Sequence, residues 1–137
     1  MPKFLLMVNH DGGVFEEPMD QWEPGDIAAH FNYYEVLTKE LTESGEMVQF
    51  MALADPRLTK IVRSDGSAAP LVTDGPFPES KEVSKEVLAG FNVFDVESEA
   101  RALEIAARIS AVPGPGGVPT QQPVEVRQVM SDSQGDL

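Results

Sequence analysis

The chain is predicted to be a single α+β domain with a split β-α-β core and an inserted β-hairpin. Three observations predict it. Two amphipathic helical stretches are interleaved with β-prone runs in the order strand, helix, strand, hairpin, strand, helix, strand. The length of 137 residues suits one domain, and 42% hydrophobic against 24% charged residues lies in the globular range. Cysteine is absent, so the core must close without disulfide staples.

Each element has a local cause. Phe4 to Val8 is an apolar run ended by polar residues and Gly12-Gly13, which predicts a strand at 3–9 buried on both faces. A Gly-, Pro- and acid-rich loop over 11–25 carries the single tryptophan, Trp22. A helix is predicted over 26–44, with Asp26 as N-cap, an apolar stripe of Ile27, Phe31, Tyr34, Leu37 and Leu41, and Gly45 as the left-handed stop. Met47 to Leu53 reads as a strand broken by Asp55-Pro56. Ser64-Asp65-Gly66-Ser67 between Lys60–Arg63 and Pro70–Thr73 signals a hairpin. Phe91 to Val96 alternates as a strand with one wet face, and Ser98 caps a second helix with a stripe of Leu103, Ala106, Ala107 and Ile109. Pro113 to Gly117 ends that helix, Val124 to Val129 makes the last strand, and 131–137 is a polar C-terminal tail beyond a domain at 1–130.

This order is that of the ferredoxin-like class. Both helices should cover one sheet face, which leaves apolar side chains on the other. A homodimer packed sheet to sheet is therefore expected.

Composition narrows the partners. The net charge is −13, from 23 acidic and 10 basic residues, so binding of nucleic acid by a basic patch is excluded. The apolar N-terminal run is far shorter than the roughly 20 residues of a membrane span, and no signal-peptide cleavage pattern follows it. With no cysteine, a cytoplasmic setting is the expectation. Neither His-x-x-x-His nor His-x-His occurs, so no metal site and no cofactor is assigned.

Three stretches are distinctive: Asp74-Gly75-Pro76-Phe77, Glu79-Ser80-Lys81-Glu82 and Leu88-Ala89-Gly90-Phe91. With the opening strand Lys3–Met7, the helix end Leu41–Gly45 and the closing Val124–Met130, they resemble the YCII-related proteins and their "DGPF" signature over about residues 3–130. The resemblance implies a dimeric α/β barrel of ferredoxin-like subunits. It implies little about activity, since most members have no assigned reaction. Some wider relatives are credited with a His-Asp pair, a few act on chlorinated aromatic compounds, and others occur beside sigma-factor regions. The sequence departs from the pattern by a tandem copy, Ser80–Val83 followed by Ser84–Val87. The first copy keeps its spacing to Asp74 and the second to Gly90, so either can occupy the family position.

The candidate site gathers around this loop. His10 is a candidate acid–base group, paired across space with Asp74 rather than with its neighbour Asp11, whose side chain points the other way in an extended segment. Trp22, Glu79, Lys81 and Glu82 are candidate pocket residues. Each has a bland alternative. His10 can be a solvated loop residue, Asp-Gly-Pro-Phe a rigid turn, Trp22 a cap on the core, and the lysine–carboxylate group a solvated cluster. His30 is read as a partly exposed helix residue beside Phe31 rather than a ligand. Two functional readings follow: a small-molecule enzyme or binder working near the Asp74 loop, and a non-catalytic accessory or regulatory dimer that binds a protein. A purely structural dimer is the third.

Overall fold

The computed structural model describes residues 1–9, 17, 19–54, 58–67, 69–75 and 88–130. Its elements are β1 (Lys3–Asn9), α1 (Pro24–Glu43), β2 (Met47–Ala52), β3 (Lys60–Arg63), β4 (Leu71–Asp74), β5 (Leu88–Asp95), α2 (Glu99–Ser110) and β6 (Val124–Gln128), with a short 3-10 turn at Met19–Gln21. The four-stranded sheet runs β2-β5-β1-β6, antiparallel throughout, and β3-β4 forms a separate two-stranded sheet. β5 thus lies between β1 and β2, the two strands that α1 connects, as the sequence order predicts.

The strand register sorts side chains into two faces. Under the helices, three rows cross the sheet: Met47–Phe94–Phe4–Gln128, then Phe50–Asn92–Leu6–Val126, then Ala52–Gly90–Val8–Val124. The first two rows meet Leu37 and Leu41 of α1 and Ala102, Ile105, Ala106 and Ile109 of α2 in one buried core. Across the opposite face run Gln49–Val93–Leu5–Arg127 and Met51–Phe91–Met7–Glu125.

β1 and β5 each bury one face only. Leu5 and Met7 are partly exposed, which corrects the expectation that β1 is buried on both faces, and on β5 Phe91, Val93 and Asp95 are partly exposed while polar Asn92 takes the buried face. The neighbours decide the phase, because Phe94 and Val96 must face the helices and alternation then sends Asn92 the same way.

The helices also shift phase. α1 starts at Pro24 with Glu23 as N-cap and no side-chain cap bond, so Asp26 is inside the first turn rather than capping it. Proline at the first position supplies its own helical φ and needs no donor there. Its buried residues are His30, Leu37 and Leu41, while Phe31 is 58% exposed. In α2 the buried stripe is Ala102, Ile105, Ala106 and Ile109, and Leu103 is exposed. Ser98 caps α2 as predicted, its Oγ accepting from the Arg101 amide at 3.2 Å. Gly45 takes φ +80° and stops α1.

Arg101 ties α2 to the sheet. Its Nε and Nη2 each donate to Glu46 at 2.9 Å, a two-point fork, and Nη1 reaches Glu104 at 3.1 Å. The guanidinium holds the Glu46 carboxyl below the usual carboxylate range.

Among the described residues, no helix is long and apolar enough to cross a membrane.

Candidate functional site

α1 is antiparallel to β1 and β2, so its N-terminal half lies over the C-terminal ends of those strands. His30 sits there and is 6% exposed. Two turns separate it from Leu37, which places it on the inward stripe. A buried imidazole needs partners, and its Nδ1–H donates to the Pro113 carbonyl at 3.0 Å. That bond fixes the tautomer and leaves Nε2 as an acceptor with no hydrogen bond to any described residue. Burial pulls the imidazole below its ordinary value of 6.5, with the Pro113 bond acting weakly the other way, so the ring is neutral at pH 7.

Aromatic rings surround it. Trp22, Phe31 and Tyr34 meet the imidazole edge-on at centroid distances of 5.5, 5.7 and 5.2 Å. Phe50 of β2 follows, 6.3 Å from Tyr34. Burial pushes the Tyr34 phenol up to about 12, so it stays a neutral hydroxyl. Trp22 is half-buried, and its Nε1–H donates to the Glu17 carbonyl at 3.2 Å.

An open groove of about 320 Å³ runs beside this cluster, lined by Ala29, Asn32, Tyr33, Val36, Arg108 and Pro113 among others. Its polar groups are largely engaged. The Tyr33 hydroxyl donates to the Arg108 carbonyl at 2.7 Å, and the Arg108 guanidinium binds Glu40. Neither Trp22 nor Asp74 lines it, so the groove is not the pocket expected from the sequence.

Asp74 closes β4 opposite Lys60, whose Nζ donates to its Oδ1 at 2.5 Å. Its side chain is 81% exposed. Next to it Gly75 is buried: its amide donates to the Thr59 carbonyl at 2.8 Å, and a Cβ there would stand 2.8 Å from Thr59 Cγ2. An added side chain would have to push the Thr59 and Ile61 side chains aside. His10, Glu79, Lys81 and Glu82 lie outside the described residues, as do the Ser-Lys-Glu-Val repeat and the tail at 131–137.

The structure therefore brings Trp22 against a histidine, but the described histidine is His30. Sequence reasoning set His30 aside because Phe31, one position on, fitted the apolar stripe equally well. The usable signal was its spacing to Leu37 and Leu41, together with the Pro113 carbonyl as an acceptor beyond the end of α2. Asn92 was missed because it was assigned to the wet face. No group of three or more His, Cys, Asp or Glu among the described residues could hold a metal ion.

These features define a small α+β protein with a neutral, ring-enclosed histidine on α1, bonded to the chain beyond α2. The model of the YCII-related domain matches residues 4–125, and the chain belongs to that family. No curated protein matches it.

Proposed function

We propose that the protein is a cytoplasmic homodimer that binds a small molecule and acts on it by acid–base chemistry, at the end of the sheet where α1 begins. One observation carries this reading. His30 is buried and neutral, its tautomer is held by Pro113, and its Nε2 lone pair is unspent among the described residues. Those are the properties of a general base. Trp22 packs on it, which supports the expectation that Trp22 lines the pocket. The Gly75 amide, held by the Thr59 carbonyl, supports the expectation that Asp74 contributes to the same site, together with His10, Glu79, Lys81 and Glu82. Dimerisation through the open sheet face is supported by Leu5, Met7, Met51, Phe91 and Val93, a contiguous apolar patch of the kind that marks interfaces. Cysteine-free composition supports a reducing compartment.

The test is a thermal-shift screen of uncharged and charged metabolites on the native chain, with His30→Gln, His10→Ala and Asp74→Ala alongside. Ligand binding raises stability with concentration over affinity. Hits abolished by His30→Gln support the reading, and hits that all four proteins share equally refute it.

A second reading, a non-catalytic accessory dimer that docks a protein, is favoured by the β3–β4 hairpin. Val62 is 60% exposed and Leu71 62%, with Leu58 and Val72 also exposed. Light scattering at micromolar concentration decides the dimer common to both readings: twice the chain mass supports it, and the monomer mass removes it.

A further inference from the structure

The middle row beneath the helices is apolar except at one place. Asn92 stands between Phe50 and Leu6, is 2% exposed, and its Oδ1 has no hydrogen-bond partner among the described residues. An orphaned buried amide costs about 1–3 kcal/mol, and an apolar residue would fit the row better. The other orphaned atom, Asp95 Oδ1, has an explanation, since the Met1 amino group stands 3.8 Å away. Asn92 has none among the described residues.

Its surroundings supply one. Phe50 pairs with Asn92 across β2 and β5, Tyr34 packs on Phe50, and His30 packs on Tyr34. One helical turn from Tyr34 back to His30 is about 6 Å. Two residues along a strand, from Asn92 to Gly90, cover about 6.8 Å. From Tyr34, His30 is thus displaced by about one row along the sheet, in the direction of Ala52–Gly90–Val8. That next row has a low profile. Gly90 bears no side chain, and the Met51 carbonyl oxygen lies 2.7 Å from where its Cβ would be. Trp22 meets His30 edge-on from just beyond the Met19–Gln21 turn.

We propose that Asn92 and His30 are the two polar contacts of one ligand site under the N-terminal half of α1, and that it takes an uncharged ring-bearing molecule with a hydroxyl or amide hydrogen-bond donor. This site rests on the proposed function, in which His30 is the base. His30 Nε2 and Asn92 Oδ1 both call for a donor. Trp22, Tyr34 and Phe50 supply flat apolar contact. None of the five residues is a cation to bind an anion, and none is a carboxylate to bind a cation, so burial of either charge is penalised.

The experiment titrates the isotopically labelled full chain with benzyl alcohol, benzylamine and benzoate, which share a ring and differ in charge. The readouts are the Asn92 side-chain amide and His30 ring nitrogen resonances. Benzyl alcohol is expected to shift both, with a dissociation constant at least about tenfold below those of the charged probes. Asn92→Leu is expected to lose that response while melting about 2–5 °C higher, because the orphaned amide is gone. A shift at His30 with none at Asn92 overturns this inference and leaves the proposed function standing. Silence at both residues overturns both. Tighter binding of benzylamine or benzoate overturns the ligand class.

Discussion

The two ends of the helix–sheet interface are built from the same strands and helices, yet they obey different rules. At the end where β1 begins, Phe4, Phe94, Val96 and Leu41 fill the space with apolar volume, and Arg101 forks onto Glu46 at the rim. At the other end stand a buried imidazole, an orphaned amide and a glycine pressed on a carbonyl. The first end is what stability asks for. The second sets stability aside in three adjacent places, a pattern expected where a site has to meet something outside the fold.

Substitutions can break or sharpen that contrast. The largest effect is expected at the apolar end. Phe94→Ala should cost about 3–5 kcal/mol in urea unfolding, while Phe50→Ala, at 45% exposed Phe50, should cost far less. Equal losses would mean that the two ends are packed alike. Gly90→Ala comes next, at about 1–3 kcal/mol, because its Cβ meets main chain rather than a movable side chain. A neutral result would show that β2 yields freely there. Arg101→Met should cost about 1 kcal/mol, most of the fork being screened by solvent at the rim; a loss several times larger would make it a core contact.

The smallest effect concerns pH. His30 has its folded pKa lowered below 6.5, so the unfolded chain binds more protons as pH falls through and below that value. Stability from this group is whole above pH 6.5 and is lost on acidification toward the folded pKa. Glu46 and Glu40, held low by Arg101 and Arg108, add a separate loss only below about 4.5. Unfolding curves of His30→Gln should lack the first decline and keep the second. An unchanged first decline would assign it to another group.

Much of the fold was legible in the sequence. The strand at 3–9, the glycine stop at Gly45, the hairpin flanking Asp65-Gly66 and the Ser98 cap depend on local turn and capping chemistry, which acts between neighbours. What local pattern left open was phase. Phe31 and His30 are one residue apart, as are Leu103 and Ala102, and each helix chose by tertiary packing. The same holds for Asn92, whose direction is set by Phe94 and Val96 further along the strand. Of the expected site, the structure describes Trp22 and Asp74, and it adds His30, whose Nδ1–H the Pro113 carbonyl satisfies.

The charge and tautomer of His30 decide whether the site holds a base. A long-range proton–nitrogen spectrum of the imidazole at pH 7 reads both without any substitution. A neutral ring with the proton on Nδ1 and a bare Nε2 is expected. An imidazolium, or a neutral ring protonated on Nε2, would contradict it and would remove the base from the site.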